Sequence, residues 1–223
     1  MSSLASLVGV IVWKDVTLDL RRRVEAVSVL VFAVAAGVLV GYVAGIAGVS
    51  PAAASAAELL VLLFLAVFGV LSSFVREADR GTLDGLRSAP VPPEALYLAK
   101  MLYTFLLMAV NLLAYSVSVA LFGGVWEALS PAVLGAALAS ALHFSAVSSL
   151  ASAILVFSEA RGVLMPVMVL VLALPFVQLA APVLAGGYAG AGVGAGALLR
   201  LSAAAVAFSA VGAWLSRYVL EVV

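Results

Sequence analysis

Long apolar runs alternate with short polar breaks along the whole chain. Six runs approach or exceed the roughly 20 mostly apolar residues that a helix needs to cross a bilayer. They fall near 26–46, 59–75, 95–122, 132–157, 163–184 and 198–220. No stretch alternates with period two, so the pattern predicts an all-α polytopic membrane protein with six transmembrane helices rather than a barrel. Ahead of the first run, Leu4, Leu7, Val8, Ile11 and Leu18 recur near helical spacing, broken by Lys14, Asp15 and Asp19. Residues 1–23 are therefore expected to hold an amphipathic helix lying in the membrane interface, anchored by Trp13 and Arg21–Arg23. The plainer alternative is a basic tail that only sets topology. Between the fifth and sixth runs, half of residues 186–197 are glycine, which predicts an irregular outer loop.

Composition agrees. The chain is 66% hydrophobic and 10% charged over 223 residues, and its net charge is zero. Soluble domains carry about a quarter charged residues, and no basic field is present to attract nucleic acid. The absence of cysteine excludes disulfides, thiolate catalysis and Cys-ligated metals. The first apolar run is too long for a cleavable signal core. With the N-terminus in the cytoplasm, ten of the eleven basic residues fall on the cytoplasmic side and only Arg200 lies outside. This bias predicts a multi-pass plasma-membrane protein, a single transmembrane domain over 1–223, with both termini cytoplasmic.

The charge is not spread evenly. Residues 74–100 read FVREADRGTLDGLRSAPVPPEALYLAK and hold eight of the 22 charged residues. Arg76, Glu77, Asp79 and Arg80 follow the second span. Gly81 breaks the pattern, and Thr82 is placed to cap a short helix beginning at Leu83. Leu83 and Leu86 share a face, while Asp84 and Arg87 lie elsewhere. Pro90, Pro92 and Pro93 stop that helix and set the return into the third span. Residues 76–94 are thus expected to form a compact amphipathic coupling loop on the cytoplasmic side. Its leucines would seat in a groove of a soluble partner and its charges would read the rim. An ordinary solvated loop needs arginines but not the interleaved acids, the cap and the proline stop.

This loop resembles the signature loop of type-2 ABC exporter permeases, and more closely that of the haem exporter protein B family. The resemblance rests on Phe74, Arg76, Glu77, Asp79, Gly81, Thr82, Leu83, Asp84, Pro90, Pro92, Leu98, Ala99 and Lys100. A second match is Arg161-Gly162-Val163-Leu164 leading into a proline-bearing fifth span. The resemblance implies a membrane permease subunit, present as a homodimer and driven by two copies of a separate ABC ATPase. Haem is the implied substrate, and other cytochrome c maturation membrane proteins are possible partners. Arg76, Glu77, Asp79, Arg80, Gly81, Thr82, Leu83, Asp84, Leu86, Arg87 and Arg161 would be the ATPase-coupling residues. No G-x-x-x-x-G-K-[ST] motif occurs, so ATP would enter only through the partner and this chain is not expected to be an enzyme. The alternatives are a type-2 permease for a lipid, drug or polysaccharide, and a non-transporting assembly factor.

Polar residues inside spans are functional candidates, although most serve packing. Ser145, Ser148, Ser149 and Ser152 share one small-residue face suited to close helix packing, at a dimer seam for example. Asn111 and Tyr115 share a face of the third span. They could line a substrate pathway or bond to a neighbouring helix. His143, the only histidine, lies near mid-membrane opposite the serine face, as a haem ligand or as a packing residue. A zinc site is unexpected with one histidine and no cysteine. Lys100 is expected to snorkel to the headgroups, Trp126 and Trp214 to anchor at the interfaces, and Pro166 and Pro175 to bend the fifth span. Glu58 and Glu127 read as isolated acids at outer helix ends. No cofactor is expected to be held by this chain itself.

Overall fold

A computed structural model describes residues 4–21, 23–83, 85 and 91–221. Among them are the helices α1 (Leu4–Arg21), α2 (Arg23–Ala47), α3 (Pro51–Ser72), α4 (Phe74–Asp79), α5 (Pro93–Gly123), α6 (Pro131–Leu155), α7 (Arg161–Tyr188) and α8 (Ala195–Glu221). A 3₁₀ turn, Trp126–Leu129, joins α5 to α6. Six helices are long and apolar enough to cross a membrane, with α3 and α4 together making the second.

Serine–proline pairs start two of the spans. Ser50 precedes Pro51 and accepts the Ala53 N–H through its hydroxyl; Ser130 does the same for Val133 ahead of Pro131. The hydroxyl fills an orphan donor of the first turn, and proline at the first helical position lacks the N–H that would go unpaired. The second span therefore begins at Pro51, eight residues before the apolar run suggested, and Glu58 lies two turns inside it. The glycine-rich stretch is also more ordered than expected. α7 continues to Tyr188 and α8 begins at Ala195, leaving a short turn in which Gly190 and Gly192 take positive φ.

α6 is the axial helix. It packs on α3, α5, α7 and α8, and buries more of its length than any other span. Small residues make this possible: Ala136, Ala137, Ala141, Ser145, Ser148, Ala151 and Ser152 are all fully enclosed. Ser148 Oγ donates to the Ala66 carbonyl of α3, and Gly69 lies where a Cβ would be only 3.1 Å from that Oγ. The serine face thus packs inside its own chain rather than at a seam between copies.

The first span uses glycine for the same purpose. Gly37, Gly41 and Gly45 recur every four residues along α2 and face α5. A Cβ on Gly37 would sit 2.6 Å from the Tyr115 carbonyl oxygen, and one on Gly123 would sit 2.6 Å from that of Gly41. The repeat is a small-x-x-x-small packing signature. α2 consequently lies along α5 and barely touches α3, its neighbour in sequence.

Candidate functional site: a buried ion knot at one end of the bundle

One end of the bundle gathers six separate segments. Val8, Ile11 and Val12 of α1 pack with Phe74, Leu83, Leu96, Ala99, Ala153, Val156, Val219 and Leu220. The N-terminal helix, the loop after the second span and the C-terminal end of α8 therefore meet at the same end. α5 is 31 residues long, about 46 Å at 1.5 Å per residue, which exceeds the hydrocarbon thickness. Its first turns have length to spare for this assembly.

The centre is an ion knot. Lys100 of α5 has no exposed surface, and its Nζ donates to Asp15 of α1 at 2.8 Å and to Glu77 of α4 at 2.7 Å. Lys14 Nζ donates to the same Glu77 oxygen at 2.9 Å and lies 3.3 Å from Asp15. Two ammonium groups thus face two carboxylates, and the cluster is neutral. Burial pulls the Lys14 pKa down, but the bond to Glu77 and the charges of Asp15 and Glu77 outweigh it and leave it raised. Lys100 does not snorkel outward as its position suggested; it turns inward to α1 and α4. The expected interfacial helix at 1–23 is also sharpened. α1 is helical over Leu4–Arg21, but its buried side chains are Ile11 and Asp15, and Lys14 and Asp19 also pair with α4, so its charged face is turned onto the bundle.

The loop residues fall into two groups. Arg76 and Glu77 are buried: Arg76 pairs with Asp19 of α1 and lies over the Tyr103 ring, while Glu77 enters the knot. Thr82 Oγ1 donates back to Glu77 Oε2 at 2.5 Å, after Gly81 turns the chain at φ +66°. Leu83 is 5% exposed and belongs to the chain's own core, so it is not available to fill a partner's groove. The outward group is Asp79, Arg80, Gly81, Thr82 and Gly85, with Asp79 reaching Arg161 at the start of α7 at 2.5 Å. Arg217 of α8 pairs with Glu94 of α5. Asp84, Leu86 and Arg87, and with them most of the expected short helix, lie outside the described residues.

The entry of the chain into this loop is set by α6. α3 stops at Ser72, and Ser73 takes φ −96°, ψ −125° before α4 resumes. Ser152 Oγ bridges the break, donating to the Val70 carbonyl and accepting the Val75 N–H. The Val75 N–H that the break strands is thereby satisfied, and the Val70 carbonyl, which also accepts the Ser73 N–H, gains a second partner.

The membrane-embedded candidates separate. His143 is 4% exposed and stacks on Phe176 at 4.0 Å with an interplanar angle of 7°, with Phe208 at 4.7 Å. The Leu172 backbone approaches the ring without a bond of ordinary geometry. This is a packed aromatic nest. Tyr115 is buried where α2 meets α5. Asn111 instead lines a cavity; its Nδ2 donates to the Leu107 carbonyl and its Oδ1 has no partner. Glu58 is neither isolated nor exposed. It is fully buried, and Tyr188, the last residue of α7, donates its hydroxyl to Oε2 at 2.9 Å. No group of three or more metal-ligating side chains occurs among the described residues.

A chain that is almost entirely spanning helix, and whose buried charge serves to tie a loop to two further helices, has the make-up of a transporter's membrane subunit. Comparison with known families gives the particular one: the chain belongs to the CcmB protein family, whose model matches residues 6–221. It is accordingly an ABC-type permease subunit of the haem-export and cytochrome c biogenesis class, a non-catalytic component. No curated protein matches it. Two signals in the sequence could have found what the loop reading missed. Asp15 sits on the apolar face of α1 beside Ile11, and Gly37-x-x-x-Gly41-x-x-x-Gly45 marks the α2 seam.

Proposed function

We propose that the ion-knot end faces the cytosol and that its outward residues receive an ABC ATPase. Two copies of the chain would stand on two ATPase subunits, with haem as the substrate and other maturation proteins of the membrane as neighbours. Both termini are then cytoplasmic, and α1 lies along the inner interface with Trp13, 73% exposed, towards the headgroups. The observation that carries this reading is Glu77 held between Lys14 and Lys100, because one buried carboxylate joins the loop to α1 and α5. Force applied to the loop reaches two further helices as rigid-body motion. The docking face is Asp79, Arg80, Gly81, Thr82, Gly85 and Arg161; Asp84, Leu86 and Arg87, assigned to it from the sequence, lie outside the described residues.

Gly85→Trp tests it. Gly85 is exposed and a Cβ there meets nothing within 4 Å, so the new side chain starts from open space and obstructs a partner seated on this face. Wild type should co-purify its soluble ATPase, and the variant should insert normally but lose that subunit. ATPase recovered in equal amount would defeat the docking assignment. Orientation is read separately. The chain has no cysteine, so Thr82→Cys is a unique label site, and it should react with an impermeant maleimide only after the cells are opened.

A further inference from the structure

Between α2 and α3, backed by α5, lies a cavity of about 480 Å³, within the usual range for small-ligand sites. It exists because α2 is drawn onto α5 by its glycines and leaves α3 uncovered. Its wall on α5 runs from Thr104 to Asn111, about 10 Å along the helix, and continues past Phe68 on α3 to Arg80. One end is therefore charged and the other mostly apolar.

The polar atoms are unevenly satisfied. At the mouth, Asp19 is taken by Arg76 and Asp79 by Arg161. Arg80 has no ion pair among the described residues. Deeper in, Thr104 is 1% exposed and Asn111 5% exposed, and neither Thr104 Oγ1 nor Asn111 Oδ1 has a hydrogen-bond partner. An enclosed polar atom without a partner costs about 1–3 kcal/mol, so such atoms mark where something else bonds. Val24 and Leu71, which also line the cavity, are 79% and 48% exposed, so the opening is flanked by apolar side chains.

We infer that this cavity is a binding site for an acidic lipid of the leaflet at the ion-knot end. The anionic head pairs with Arg80, and a hydroxyl of the head or glycerol region donates to Asn111 Oδ1 or bonds to the Thr104 hydroxyl. An acyl chain lies against Leu65, Phe68 and Met108. The site shares Arg80 with the proposed docking face, but lipid retention is read on the chain without its ATPase, so the two assignments fail separately.

The test uses the full chain in phosphatidylcholine nanodiscs doped with phosphatidylglycerol or with oleate, read by native mass spectrometry after delipidation. Wild type should retain one acidic lipid per chain, and never phosphatidylcholine at the same level. Arg80→Gln should lower retention about tenfold, the worth of a charge-assisted hydrogen bond, and Arg80→Lys should restore most of it. Ala26→Phe, which fills the cavity from the α2 side, should abolish it; Arg200→Gln at the far end should change nothing. Retention of phosphatidylglycerol assigns the site to a phospholipid, and retention of oleate alone to a single-chain acid. Equal retention of zwitterionic and acidic lipid, or no response to Arg80→Gln and Ala26→Phe, overturns the inference. So does displacement of the bound lipid by equimolar haem, which would make the cavity a substrate site.

Discussion

The second span buries a carboxylate at each of its ends, and the two are held in opposite ways. Glu77 meets two lysines and a threonine; Glu58 meets one tyrosine hydroxyl, and no cation pairs with it among the described residues. The first arrangement is charged on both sides and joins three helices. The second is a single bond between the start of one span and the end of another. A buried ion pair is costly to assemble and more costly to leave half-made, whereas a lone hydrogen bond strands only its own two groups when it opens. One end of the span is therefore built as a fixed joint and the other as a light clasp.

Lys100→Met should produce the largest loss, about 3–5 kcal/mol, because Asp15 and Glu77 keep their charges with only half-exposed Lys14 to answer them. Thermal unfolding in detergent would show it, and a variant as stable as wild type would remove the distinction between the ends. Glu77→Lys sets a third ammonium group between Lys14 and Lys100, so it reports on folding and not on docking. Ser152→Ala comes next, at about 1–3 kcal/mol, since the Val70 carbonyl and the Val75 N–H lose their shared partner. Tyr188→Phe should cost about 1–3 kcal/mol, because the buried Glu58 Oε2 loses its partner, and Glu58→Gln less, because an amide oxygen still accepts the tyrosine proton. A loss at Glu58→Gln equal to that at Lys100→Met would make the clasp a second joint. Arg161→Gln should be smallest, about 0–1 kcal/mol, as its pair with Asp79 is solvent-exposed. Its stability effect should shrink further at high salt.

The spans were legible because bilayer thickness leaves a long apolar signature that no alternative fold mimics. Their number, and the concentration of charge after the second, follow from that signature and hold in the structure. What remained hidden is pairwise. Lys100 has the position of a snorkelling lysine, and only the arrival of Asp15 from 85 residues away turns it inward. Glu58 has the sequence context of a surface acid, and Tyr188 lies 130 residues further on. Spacing along one helix says which face a residue occupies, but not which helix will meet that face. Leu83 shows the same limit: its apolar pattern marks burial and is silent on whether the cover comes from another protein or from the chain itself.

The contact between Gly37, Gly41 and the α5 backbone acts as a weld. Backbones that touch without intervening side chains have no rotamers to exchange, so they slide or separate only as whole rods. The first and third spans, with α1 clipped on through Asp15, then form one stiff lever. The second span is fixed to it at one end by the ion knot and joined at the other by the three-residue link 48–50. If the permease changes shape during a cycle, that lever keeps its form, and the second span can swing away from it only about the knot, opening from the Glu58 end.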